Sequence, residues 1–178
     1  MRVFGLDPGS RHTGWGVVER QGNRCRCLGR GCVSPPAGAP LAARLHAIAG
    51  AVGALLDEYR PDAVVIEEAF HHESVRSTLV LGHVRGALLV TAAARGLEIA
   101  EYSPREIKMS VAGNGGAAKE QVEFMVRRIL GLEGALAADA SDALAGALCH
   151  VHRSRFAPAR PASPAARRLE ALLARGAR

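Results

Sequence analysis

Four apolar residues, Ala63-Val64-Val65-Ile66, run uninterrupted between two stretches of helical periodicity. A run this short reads as a strand, and one without alternation is covered on both faces. Such a strand calls for a sheet layered between helices. Upstream, Leu41, Leu45, Ile48, Val52, Leu55, Leu56 and Tyr59 recur at steps of three and four up to Pro61, which predicts an amphipathic helix. Downstream, the pattern predicts a second helix over 75–94, closed by Gly96. Its Gly82 and Gly86 lie one turn apart on one face, where another surface can come close.

The rest of the chain completes the sheet. Residues 2–7 read as a buried strand. Residues 14–20 and 24–33 read as two more, joined by the turn Gln21-Gly22-Asn23 and ended by Ser34-Pro35-Pro36. Residues 97–102 form the last strand. Ser103-Pro104-Arg105-Glu106 then marks a helix start, with Ser as cap, Pro in the first turn and Glu reaching back. Residues 113–116 read as a mobile glycine loop. Val122, Met125, Val126, Ile129 and Leu130 mark a helix ended by Gly131, and a last helix covers 139–151. The order β-β-β-α-β-α-β-α-α-α implies an α/β fold. Its five-stranded mixed sheet has three antiparallel strands followed by parallel ones, flanked by helices on both faces.

The length of 178 residues suits one domain, and 48% apolar residues suffice for a core. Aromatics make up only 4%, so that core is aliphatic and alanine-rich. The chain enters strand-like sequence at once, without a signal peptide, and no apolar run is long enough for a bilayer span. A soluble, cytoplasmic protein is expected. Cys25, Cys27, Cys32 and Cys149 have no zinc spacing and read as idle thiols in a reducing compartment. The adjacent His71 and His72 point two ways on any regular element and read as polar loop residues.

Residues 151–178 hold seven Arg against one acid, which accounts for the whole net charge of +6. This Pro, Ala and Arg-rich stretch, 154–178, reads as a disordered tail beyond a domain of residues 1–153. Basic charge suits a nucleic-acid partner, and it equally suits a solvated tail.

Chemistry gathers at acids. The strand ending at Leu6 stops on Asp7 and breaks at Pro8-Gly9; the strand ending at Ile66 stops on Glu67 and Glu68. Ligands collect at the carboxyl ends of strands in α/β sheets. In 139-DASDALAG-146, Asp139 and Asp142 share one helix face. If that helix starts at the same sheet edge, four carboxylates converge. A hard-oxygen cluster suits Mg²⁺ or Mn²⁺. Two such ions, roughly 4 Å apart, clamp the attacking and leaving oxygens of a phosphodiester. Taken singly, DPG is a common turn. Asp139 and Asp142 also fit a helix cap and a third helical position, and Glu68 competes with Glu67 as ligand.

The set GLDPGSRHTGWGVV, VVIEEAF, the Lys108 and Lys119 segments and DASDALAGALCH resembles the RuvC family of Holliday-junction resolvases, in order over about residues 1–152. The resemblance implies an RNase H-like fold and a homodimer that nicks four-way junction DNA at two strands, with RuvA–RuvB as partner motor. It implies Asp7, Glu67, Asp139 and Asp142 as ligands for two Mg²⁺ or Mn²⁺ ions, and Lys108 and Lys119 as active-site cations. These are the only lysines beside 21 arginines; alternatively they are solvated helix residues. Phe70 matches an aromatic that stacks on an opened base, a contact of about 1–3 kcal/mol; without the resemblance it is equally a packing residue. The helix bearing Gly82 and Gly86 matches the dimer interface, and Arg76 and Arg85 are candidate phosphate contacts.

Three other readings compete. DPGSRHTG also resembles the first phosphate loop of actin-like ATPases, which need a second such loop that the chain lacks. A non-cleaving junction-binding protein would be favoured by a missing acid, and all four are present. A nuclease of this fold acting on RNA–DNA hybrids differs by the dimer helix, the lysines and Phe70.

Overall fold

The computed structural model describes residues 1–68 and 74–154. Its elements are β1 (Arg2–Asp7), β2 (Thr13–Gln21), β3 (Arg24–Val33), α1 (Leu41–Tyr59), β4 (Ala63–Glu67), α2 (Val75–Ala93), β5 (Glu98–Tyr102), α3 (Pro104–Ala112), α4 (Lys119–Leu130) and α5 (Ala138–Arg153). The sheet order is β3-β2-β1-β4-β5. β1–β2 and β2–β3 are antiparallel; β1–β4 and β4–β5 are parallel. The element order and the mixed topology, three antiparallel strands followed by parallel ones, are those that the alternation of patterns predicts.

Strand alternation divides the core into two layers. Val3 and Val65 face α3, α4 and α5, while Phe4, Leu6, Val64 and Ile66 face α1 and α2. Residues 63–66 are fully buried because both layers cover them. On the second layer, Ile48, Val52 and Leu56 present one stripe of α1, and Val84, Leu88 and Ala92 one stripe of α2. Truncating a buried leucine such as Leu88 to alanine in a layer this dry costs about 2–5 kcal/mol.

The first layer depends on how closely α5 lies on the sheet. Gly5 and Gly16 face each other across β1 and β2, and Gly14 faces Asp7. A Cβ on Gly5 would run into the carbonyl of Ala143, one on Gly14 into the backbone of Asp139, and one on Gly16 into the Leu144 side chain. The three glycines form a track. α5 answers with small residues, and everything from Ala143 to Val151 is buried. Strand and helix therefore fix the position of α5 along the sheet to within a side chain.

The helix signals behave as expected at α3. Ser103 accepts from the Glu106 amide while Glu106 accepts from the Ser103 amide, and Gly113 closes the helix in the left-handed region. α4 starts at Lys119, earlier than its apolar positions suggest, because the Gln121 side chain accepts from the Ala118 amide at 3.0 Å. Among the described residues no helix is long and apolar enough to cross a membrane. Phe70, His71, His72 and the tail beyond 154 lie outside the described residues.

Candidate active site

Asp7 is the last residue of β1 and Glu67 the last of β4. The strands are parallel, with Leu6 beside Ile66, so the two carboxylates leave the sheet at the same edge. Beyond Asp7 the chain folds straight back. Thr13 Oγ1 donates to the Gly9 carbonyl at 2.7 Å, Arg44 Nε donates to the Ser10 carbonyl at 3.1 Å, and a side chain at Gly9 would strike His12. The turn thus clears the space in front of Asp7.

The glycine track delivers the other two acids. Asp139 lies in the first turn of α5, directly over Gly14, and Asp142 follows one turn later. Asp139 is not the cap; Ala137 holds that position, and no side chain caps the helix. The capping explanation for the Asp139/Asp142 pair therefore does not hold. Glu67, rather than Glu68, joins the cluster: Glu67 and Asp142 line one cavity of about 160 Å³, whereas Glu68 donates its amide to the Tyr102 carbonyl. Lys108 from α3 and Lys119 from α4 line the same cavity. Lys119 Nζ stands 3.5 Å from Asp142 Oδ2.

The cluster is electrostatically tense. Burial pushes the Asp7 carboxyl up from about 3.8 to about 7, and the neighbouring Glu67, Asp142 and Asp139 add to the rise against the pull of Lys119. Glu67 is raised by burial and then by Asp142, opposed by Lys119, Lys108 and Arg85. Burial also raises Asp142 and outweighs its ion pair, while Asp142 in turn raises Lys119. Four acids so placed present the hard oxygen donors that divalent cations prefer.

The two arginines separate. Arg76 is exposed on the first turn of α2. Arg85 is turned inward: it donates to the Glu67 carbonyl and pairs with Glu101. Its guanidinium is engaged at the end of β4, whereas the sequence reading has Arg85 as a candidate phosphate contact. Also unforeseen is the rim beside Asp139. Cys32, paired with Gly14 across β2 and β3, is exposed and places Sγ 3.7 Å from Asp139 Oδ2, with His12 nearby. It is therefore not an isolated thiol. Nothing in the sequence marks it: counted from the Gln21-Gly22-Asn23 turn, Gly14 would face Gly31, and only the β-bulge at Val17/Val18 brings Cys32 level with Gly14 and Asp7.

The family model of the crossover junction endodeoxyribonuclease RuvC matches residues 3–150. A crossover junction endodeoxyribonuclease RuvC of Pseudoalteromonas atlantica is 50% identical over 150 residues, covering 84% of this chain and 86% of its own. That of Halorhodospira halophila is 46% identical over 167 residues, covering 94% and 99%. Among solved structures, Thermus thermophilus RuvC in complex with a Holliday junction substrate superposes with a TM-score of 0.83 at 37% identity, covering 88% of this chain and 96% of that one. The yeast mitochondrial Holliday junction resolvase Ydc2 shares the fold at a TM-score of 0.63 and 11% identity, over 86% of this chain and 80% of its own.

Proposed function

The chain belongs to the RuvC family of crossover junction endodeoxyribonucleases, and from that premise we propose that it resolves four-way (Holliday) junctions by paired, symmetric, metal-dependent nicks in recombination and repair. The observation that carries this reading is the meeting of Asp7, Glu67, Asp139 and Asp142 at one sheet edge, beside the chain's only two lysines.

The donor set fits Mg²⁺ or Mn²⁺. All four groups are carboxylates, and burial, reinforced by the repulsion of the other three, raises Asp7 to about 7. Bound there, a pair of ions would supply an activated water and charge compensation for the departing 3′ oxygen. The protein's own part is positional. Asp7 and Glu67 are held rigidly by neighbouring strand ends, Asp139 and Asp142 by a helix pressed onto the glycine track. Arg85 anchors the Glu67 backbone. Lys108 and Lys119, which line the same cavity, offset the charge that builds on the phosphoryl oxygens. Phe70, just past Glu67, stacks on an unpaired base, and Arg76 meets a backbone phosphate. DNA affinity then falls with salt.

Two-fold junction symmetry asks for a two-fold protein. α2 offers a face for it. Val75, Leu79 and Val90 are 79%, 60% and 69% exposed, and Gly82 and Gly86 continue their stripe. A Cβ on either glycine would meet nothing within 4 Å among the described residues. Their smallness is thus not required by packing within the protomer and favours a second copy of α2. The nuclease domain is residues 1–153, the stretch 154–178 is dispensable for cleavage, and the enzyme acts in the cytoplasm with a RuvA–RuvB-type motor.

The test is incubation with a synthetic four-way junction, a linear duplex and an RNA–DNA hybrid in Mg²⁺ or Mn²⁺. Paired symmetric nicks in the junction alone are expected. Cutting of the hybrid, or tight junction binding without cuts under either metal, would refute the proposal.

A further inference from the structure

We propose that His12, Cys32 and Asp139 form a second, thiophilic metal site that binds Zn²⁺ and, by taking Asp139, switches the nuclease off. Each of the three offers one ligand atom, and these atoms lie within 4.8 Å of one another. His12 comes from the loop between β1 and β2, Cys32 from the end of β3 and Asp139 from the first turn of α5. The arrangement has a structural cause. Asp7, Gly14 and Cys32 are in register across β1, β2 and β3. Gly14 leaves a gap in that row, and Asp139 sits over it. Its carboxylate therefore stands between two donor sets, the hard one at Asp7 and the soft one at Cys32.

Ser34 holds the soft set in order. Its Oγ lies 3.0 Å from His12 Nδ1 and 3.8 Å from Cys32 Sγ. One sulfur, one imidazole nitrogen and one carboxylate oxygen suit tetrahedral Zn²⁺ with water in the fourth position. Around such an ion, neighbouring donors are about 3.5 Å apart, so the group must tighten by about an ångström. His12 and Cys32 are both exposed and free to make that movement. Binding releases the Cys32 thiol proton to water and changes no oxidation state. Mg²⁺ has little affinity for sulfur, so the two metals divide the donors between them and compete only for Asp139. The metal site stands on this geometry alone; its inhibitory effect rests on the carboxylate cluster being the nuclease centre.

The test uses the full reduced chain and Co²⁺ as a spectroscopic stand-in for Zn²⁺. One equivalent should give a thiolate-to-cobalt charge-transfer band with tetrahedral visible absorption, abolished by Cys32→Ser and displaced by Zn²⁺. His12→Ala should weaken Co²⁺ binding about tenfold or more, with an unchanged melting temperature. A missing band, or one that survives Cys32→Ser, would overturn the site. In the second arm, Zn²⁺ is added to junction-cleavage reactions in excess Mg²⁺. Nicking by the wild type should fall about tenfold or more with junction binding retained, while Cys32→Ser nicks normally at the same Zn²⁺ concentration. Equal inhibition of both proteins would overturn the switch. Absence of nicking without Zn²⁺ would instead refute the nuclease reading, and the cobalt band would still decide the site.

Discussion

Replacing Asp7 with asparagine should destroy cleavage and stabilise the metal-free protein. Asp7 is the most strained member of the cluster: a carboxyl held at about 7 instead of about 3.8 costs about 4 kcal/mol once fully ionised. The sign follows from proton counting. Between those two values the folded chain holds a proton that the unfolded chain has lost, so stability falls as pH rises through this window. Below it the penalty vanishes, and above about 7 it is complete. At pH 5 the cost is about 1.5 kcal/mol and at pH 8 about 4, before Glu67 and Asp142 share in the relief. Asparagine keeps the shape and removes the charge. Thermal melts in chelator should therefore show Asp7→Asn more stable than wild type, with a gap that widens from pH 5 to pH 8. At about 2–4 °C per kcal/mol for a chain of this size, the pH 8 gap should reach about 5 °C or more. Saturating Mg²⁺ should close it, because an ion held by the folded wild type would neutralise the cluster. Junction binding should persist. A gap equal at both pH values, or a variant less stable than wild type at pH 8, would refute the electrostatic account. Residual cleavage at wild-type rate would refute the site.

Lys119→Met should lower the cleavage rate about 100-fold or more with a small loss in junction affinity, measured by single-turnover nicking beside a gel-shift titration. Gly82→Leu should leave the protomer folded, because a side chain there meets nothing among the described residues; light scattering should find a monomer, against the dimer proposed for the wild type. Gly5→Ala should do the reverse and strike the fold. Its Cβ runs into the Ala143 carbonyl, and an overpacked core site of this kind costs about 3 kcal/mol, read as a lower melting temperature at every pH.

Much of this architecture is legible in the chain because local signals agree with the long-range ones. β3 has the expected limits, since Gln21-Gly22-Asn23 and Ser34-Pro35 punctuate it on both sides. α3 starts where Ser103 and Glu106 cap each other. Asp7 and Glu67 were readable as strand-end acids, because a polar residue ending a fully buried strand has few structural uses. Other features depend on what lies opposite in space. That Ala137, not Asp139, caps α5 is decided by where the helix meets the glycine track. Arg85 reads in the sequence as a candidate phosphate contact, and only the proximity of Glu101 and the end of β4 turns it inward. Cys32 carried no spacing signal, because its partners come from two other elements. Phe70 lies in a segment whose role rests on the family resemblance alone.

The docking of α5 on Gly5, Gly14 and Gly16 also bears on how the molecule is made. The helix is the last element of the described chain, and it brings two of the four acids to strands laid down at the start. Domains emerging from the ribosome take shape from the N-terminus onward. A nascent chain that stops before residue 138 has the sheet's strands but no Asp139 or Asp142, and its glycine track faces solvent. If those acids cut DNA as proposed, cutting competence is withheld until α5 has been made. Assembly of the carboxylate cluster and closure of the core become a single late event, so on the proposed reading a half-made chain has no means of nicking DNA.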